Sequence, residues 1–91
     1  MKKYLIERQI PGVGHFSPGQ LKTTAATSNA ALARLSPRVQ WLESFLTGDK
    51  TFCVYLADDE TVIREHASRA GIPADRITEV TSVIDPTTAT R

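Results

Sequence analysis

Three glutamates, Glu7, Glu43 and Glu79, occupy separate stretches in which polar and apolar residues alternate, the pattern of β-strands. If these strands form one sheet with the glutamates on the same side, the three carboxylates project into one cavity. Buried carboxylates lose hydration and repel one another, and a cation would relieve both costs. The pattern predicts a divalent-metal site. The alternative is that the glutamates pair with arginine or lysine, or lie at the rim of the sheet.

Two histidines and one cysteine are further candidate ligands. His66 is predicted on the inward side of a helix and His15 in a loop, and neutral imidazole is the commonest ligand of transition metals. The alternatives are a hydrogen bond from buried His66 to a backbone carbonyl, and simple exposure for His15. Cys53, in the middle of a strand, is more often a small buried hydrophobe than a thiolate ligand. These spacings match no zinc or iron signature, so the fold itself would have to assemble the site.

The pair Gly48-Asp49 predicts the turn of a β-hairpin, because residues 39–47 and 50–57 on either side are rich in aromatic and β-branched types. With a three-residue turn, one face of the hairpin is plain apolar core; a two-residue turn gives the opposite pairing. The other face mixes aromatic rings with a carboxylate and a thiol, which indicates a partly buried cavity or partner surface. The apolar face holds Leu42, Ser44, Leu46, Phe52, Val54 and Leu56, and the mixed face holds Trp41, Glu43, Phe45, Thr51, Cys53 and Tyr55.

Start and stop signals define the remaining elements. Ser17 with Pro18 and Gln20 predicts a capping box at the start of one helix. Asp58 or Asp59 predicts the start of a second helix, and Gly71 predicts its end. Its inward stripe is predicted to contain Val62, Ile63, His66, Ala67 and Ala70. The outer strands are predicted at residues 4–10 and 77–84.

The order strand, helix, strand, strand, helix, strand predicts an α+β fold, the ferredoxin-like βαββαβ sandwich. Its four-stranded antiparallel sheet carries both helices on one face. Residues 1–86 form this domain, and residues 87–91 are predicted to be a flexible C-terminal tail.

Two helices cover only one side of such a sheet. Leaving several aromatic side chains of the other side in water would forfeit about 25 cal/mol per Å² of apolar surface. We therefore expect a homodimer that packs sheet on sheet as a dimeric α/β barrel. The predicted cavity between the sheets is lined by Trp41, Cys53, Tyr55 and Glu79.

Composition restricts the classes of partner. The 91 residues carry a formal charge of +1, with 11 basic and 10 acidic side chains interspersed. This distribution gives no electrostatic footprint for nucleic acid or an anionic membrane. No apolar run approaches the length of a membrane span, so a cytoplasmic protein is predicted.

Several motifs resemble a family of small bacterial proteins of unknown function that includes a nickel-binding ferredoxin-like dimer. The motifs are Ile6-Glu7-Arg8, Cys53-Val54-Tyr55 and Glu65-His66-Ala67, and the similarity extends through nearly the whole chain. The resemblance implies the same fold, a face-to-face dimer and an association with nickel. Within the matching motifs, it implies Glu7 and His66 as ligands.

Three classes of function follow from these observations. The first is a metal-binding dimer using nickel or another divalent transition metal, with Glu7, Glu43, His66 and His15 as ligands. The second is a cofactor-free enzyme, an isomerase or monooxygenase, or a binding protein for a small molecule, in which His66, Tyr55 or Glu43 acts as general acid or base. The third is an RNA-binding module that stacks bases on Trp41 and Tyr55, a class that the acidic residues oppose.

Overall fold

A computed structural model describes all 91 residues. The predicted order of elements is confirmed, with two short 3-10 helices added at Val13–His15 and Pro86–Thr90. No helix is both long enough and apolar enough to cross a membrane. The main elements are β1 (Lys2–Gln9), α1 (Pro18–Ala33), β2 (Val39–Leu46), β3 (Lys50–Ala57), α2 (Glu60–Ala70) and β4 (Arg76–Val80).

The four strands form one antiparallel sheet in the order β2-β3-β1-β4. Both helices pack on the same side, where alternate residues of β1 and β3 are buried. This α+β arrangement is consistent with the predicted ferredoxin-like fold. We call the covered side of the sheet the helix face and the other side the open face.

Both helices begin at the predicted caps. The Ser17 side chain accepts a hydrogen bond from the Gln20 backbone, and the Gln20 side chain accepts one from the Ser17 backbone, which completes the capping box. Asp59 caps α2 by accepting from the Val62 N–H. Gly71 ends α2 with φ 69°, in the left-handed region that favours glycine.

The last strand is shorter than predicted, because β4 ends at Val80 instead of continuing to residue 84. Val83 and Ile84 are largely exposed beyond it. Asp85 then caps the second 3-10 helix, which overlaps the tail predicted to be flexible. The flexibility of this tail stays a prediction.

The predicted hairpin is present, but its faces differ from the three-residue-turn prediction. The Thr47 N–H donates to the Lys50 carbonyl oxygen over 2.9 Å, which leaves Gly48 and Asp49 as a two-residue turn. Leu46 therefore lies opposite Thr51, and the extra residue Leu42 forms a bulge that shifts the register. The helix face of the hairpin holds Trp41, Ser44, Leu46, Thr51, Cys53 and Tyr55, and the open face holds Glu43, Phe45, Phe52, Val54 and Leu56.

The core lies between the helix face and α2. Val62, Ile63, His66 and Ala67 of α2 are buried as predicted, while Ala70 is half-buried. The strands contribute Tyr4, Ile6, Cys53, Tyr55 and Ala57 to this core. Helix α1 buries only the small residues Ser28 and Ala31. Because these side chains do not fill the space between α1 and the sheet, a cavity remains there.

The open face is covered by neither helix. Half-buried Leu5, Phe52, Val54 and Leu56 share it with Phe45, whose side chain is 55% exposed. Glu7 and Glu43 lie on this uncovered face, as predicted, but beside Phe52 and Val54, which were predicted on the covered face. The molecule thus has one packed side and one apolar side without an intramolecular partner.

Candidate functional site

The four predicted metal ligands do not come together in one chain. Glu7 and Glu43 lie on the open face, whereas His66 is fully buried on the opposite side of the sheet. His15 is exposed in the first 3-10 helix. No group of three or more histidine, cysteine, aspartate or glutamate residues is close enough to hold a metal ion. A single chain therefore does not fit a protein-ligated transition metal, and the ligand roles of these residues stay predictions.

Glu79 is not on the face where it was predicted. It lies opposite Tyr4, a helix-face residue, so it is on the helix face, whereas Glu7 and Glu43 are on the open face. Its carboxylate is exposed at the edge strand and forms a 3.8 Å salt bridge with Lys2. The prediction of three convergent carboxylates was wrong, because the register of β4 against β1 places Arg76, not Glu79, on the side of the sheet that holds Glu7.

Trp41, Cys53 and Tyr55 were predicted on the open face, and this placement was also wrong. All three share one face, as predicted, but this is the helix face, because Cys53 and Tyr55 lie opposite buried Ile6 and Tyr4 of β1. There they line a cavity of about 540 Å³ between α1 and the sheet. Cys53 belongs to the hydrophobic core, with its Sγ 3.5 Å from the Thr51 Oγ1.

Arg8 also lines this cavity, and sequence reasoning did not select it as a site residue. Its side chain is only 2% exposed, because β1 directs Tyr4, Ile6 and Arg8 toward the helices. The guanidinium donates from one terminal nitrogen to the Pro73 carbonyl oxygen and from the other to the Tyr55 hydroxyl over 3.2 Å. Its Nε has no hydrogen-bond partner. The available signal was the two-residue alternation from Ile6, which places Arg8 on the same face.

His66 contacts the same group of residues from α2. Its Nε2 lies 3.2 Å from the Ser28 Oγ and 3.4 Å from the Ser28 carbonyl oxygen. Because a carbonyl only accepts, we place the proton on Nε2, which leaves the buried Nδ1 without a partner. The His66 ring is 5.5 Å from that of Tyr55. This geometry agrees with the alternative reading of His66 as a buried residue bonded to a backbone carbonyl.

Burial determines the charge state of both rings. Desolvation lowers the pKa of His66, with a further lowering by the positive charge of Arg8 that a hydrogen bond to the Ser28 backbone opposes. Desolvation raises the pKa of Tyr55, although Arg8 acts in the opposite direction. Both groups are therefore neutral near pH 7, and Arg8 is the one charged side chain that lines the cavity.

The arrangement bears on the enzyme and RNA alternatives. Among the proposed acids and bases, only Tyr55 lines the cavity, since His66 lies behind it and Glu43 is on the open face. Trp41 and Tyr55 face the helices, so neither offers a ring for base stacking on the open face. No acid–base pair is assembled in the cavity.

The low pKa of His66 predicts a loss of stability in mild acid. The unfolded chain binds a proton near pH 6.5, whereas the folded chain binds it only at lower pH. The free energy of unfolding should thus reach its highest value above about pH 6.5. As the pH decreases further, it should decrease by at most about 1.4 kcal/mol per pH unit for one proton. Urea unfolding between neutral and mildly acidic pH measures this slope.

The His66→Gln variant should lose this slope, and the His15→Gln variant, which alters the exposed histidine, should keep it. An identical slope in the His66→Gln variant and the unaltered protein would contradict the assignment.

Comparison with known proteins agrees with the fold. The crystal structure of SCO4226 from Streptomyces coelicolor A3(2) superimposes with a TM-score of 0.71 at 21% sequence identity, covering 90% of this chain and 99% of that one. No curated protein matches the sequence. Residues 4–80 match the family model described as nickel responsive protein SCO4226-like. Because this match extends over most of the chain and includes both α-helices, the chain belongs to the SCO4226-like family of nickel responsive proteins.

Proposed function

We propose that this chain acts in a nickel response as a homodimer whose two open faces pack together. The observation that carries this proposal is an apolar sheet face on which Glu7 and Glu43 lie without an ion pair inside the chain. Membership of the nickel responsive family supports the link to the metal. The assembly would be the predicted dimeric α/β barrel, with the cavity between the sheets lined by open-face residues.

A second copy of the chain is the partner that suits this face best. Face-to-face packing of two such sheets would bury Leu5, Phe45, Phe52 and Val54 from each chain, which yields free energy in proportion to the area removed from water. A two-fold axis requires the same patch to complement itself. The open face meets this condition because it carries both signs of charge. Lys3 on β1 and Arg76 on β4 share it with the two glutamates.

The dimer also changes the supply of ligands. One chain offers two separate carboxylates on the open face, and two chains offer four in one enclosed space. Glu7 and Glu43 are the residues that would hold Ni²⁺ there. Oxygen ligands without imidazole are harder than nickel prefers, so we expect modest affinity.

Calorimetric titration of metal-free protein with Ni²⁺ tests the nickel proposal. We expect saturable binding that weakens at least about tenfold in the Glu7→Gln, Glu43→Gln double variant, because the charge of the ligands is removed while their shape is kept. Glu79→Gln is the matched control, since Glu79 lies on the helix side of the sheet edge.

Two results would count against the site. If the double variant and the unaltered protein bind equally, the carboxylates serve in ion pairs between the copies and not as ligands. If Glu79→Gln weakens binding as much as the double variant, the effect is general electrostatics.

A further inference from the structure

The cavity under α1 is separate from the open face and is not used by the proposed nickel function. The sheet itself divides the two sites, because Arg8 and Glu7 are neighbours on β1 that point to opposite sides. The cavity volume of about 540 Å³ falls within the usual range of small-molecule sites. Its wall is formed mostly by apolar side chains, among them Ile10, Val13, Phe16 and Leu46.

The positive charge of Arg8 lies in this apolar wall without a negatively charged partner. Arg8 belongs to none of the salt bridges in the chain, although its side chain is buried. Two neutral oxygens and the face of the Tyr55 ring, whose centroid is 5.7 Å from the guanidinium carbon, compensate it in part. The Nε–H still lacks an acceptor. A buried guanidinium normally has a carboxylate or phosphate partner. This geometry therefore indicates that a bound anion acts as the partner of Arg8.

The neighbours of Arg8 are suited to hold an anionic oxygen. Three hydroxyl-bearing residues, Tyr55, Ser28 and Thr51, line the cavity together with Arg8. Burial keeps the proton on the Tyr55 phenol, so this hydroxyl accepts from Arg8 and has its own hydrogen to donate. No aspartate or glutamate lines the cavity to repel an anion.

We infer that the cavity binds a small amphipathic monocarboxylate, whose carboxylate pairs with Arg8 and whose hydrocarbon part fills the apolar wall. A bare inorganic anion would leave most of the apolar volume empty, and a neutral apolar molecule would leave Arg8 unpaired. Leu21 and Thr24, exposed residues of α1 that also line the cavity, mark the side from which such a ligand enters.

Trp41 provides the readout, because it is the one tryptophan of the chain and lines the cavity. The metal-free protein is titrated with octanoate, with 1-octanol and with inorganic phosphate, and Trp41 emission is recorded. We expect a saturable blue shift with octanoate, at least about tenfold weaker binding of 1-octanol, and no saturable change with phosphate. The two organic probes have the same chain length and differ in charge.

The Arg8→Met variant should bind octanoate and 1-octanol equally, since it keeps the volume of the side chain and removes its charge. Arg69→Met, at an exposed arginine of α2, should keep the preference for octanoate.

Equal binding of both probes by the unaltered protein, or no saturable signal with octanoate, overturns the inference whether or not Arg8→Met folds. Saturable binding of phosphate at the octanoate midpoint also overturns it, because the apolar wall would then play no part. None of these results bears on the nickel proposal, since no metal is present in the titration.

Discussion

Phe52→Glu is expected to convert the proposed dimer into monomers. Phe52 lies on central strand β3, between Glu7 of β1 and Phe45 of β2 on the open face. In a sheet-on-sheet dimer, the substitution would bury an unpaired carboxylate beside Glu7 in each copy. An uncompensated buried charge costs about 3–5 kcal/mol, so the dissociation constant should rise by more than about a hundredfold.

Sedimentation velocity at micromolar concentration measures this change, and circular dichroism establishes that the variant is folded. Ala26→Glu, at an exposed position of α1, is the control that adds the same charge away from the sheet. A monomeric unaltered protein, or a Phe52→Glu variant that remains dimeric, would refute the sheet-on-sheet assembly.

Gly14→Ala is expected to destabilise the fold by about 1–3 kcal/mol, the usual cost of forcing an added methyl group into a packed site. A Cβ at residue 14 would lie 2.6 Å from the Thr47 carbonyl oxygen and 3.0 Å from the Gly48 Cα. Both atoms belong to backbone, so a side-chain rotation cannot relieve the clash. The Gly14 N–H also donates to the Gly48 carbonyl oxygen over 3.1 Å, which ties this loop to the hairpin turn.

Urea unfolding of Gly14→Ala and Gly19→Ala measures the effect with a matched control. At Gly19, in the first turn of α1, an added Cβ would meet only the Ser17 Oγ, at 3.8 Å. Alanine there should be neutral or stabilising by up to about 1 kcal/mol, because it favours the helix more than glycine does. Equal urea midpoints for Gly14→Ala and the unaltered protein would contradict the prediction, because the hairpin turn would then have moved to make room for the methyl group. Because Val13 and Phe16 line the cavity on either side of this loop, displacement of the loop should also weaken octanoate binding.

Local signals carried most of the information about the elements. The Ser17 capping box, the Asp59 cap and the Gly71 terminator act through hydrogen bonds and backbone angles within a few residues, and all three are confirmed. The strand order needs only the element order and the handedness of the connections. The end of β4 at Val80 was missed because residues 81–84 have strand-like types but no partner strand along their length.

The two faces of the hairpin show why local signals are insufficient for the site. Alternation separates Phe52 and Val54 from Cys53 and Tyr55, but both sets are apolar enough to be buried. The pairing of β2 with β3 depends on a turn shorter by one residue and on the bulge at Leu42. A change of one residue brings Ser44 and Leu46 to the face of Cys53 and Tyr55. Trp41 shares that face in either pairing, and only the packing of the helices decided that it is the covered side.

The sequence by itself determined the order of elements, the caps and a sheet with too few helices to cover both sides, because these depend on composition and short-range geometry. Only the tertiary structure decided that Arg8 is a buried, unpaired cation and that His66 and Glu7 are on opposite sides of the sheet. A charged residue in a strand is ordinarily read as exposed, and its actual environment depends on distant segments, here Pro73 and Tyr55. Long-range packing sets which face is enclosed, and with it the chemistry that each face can perform.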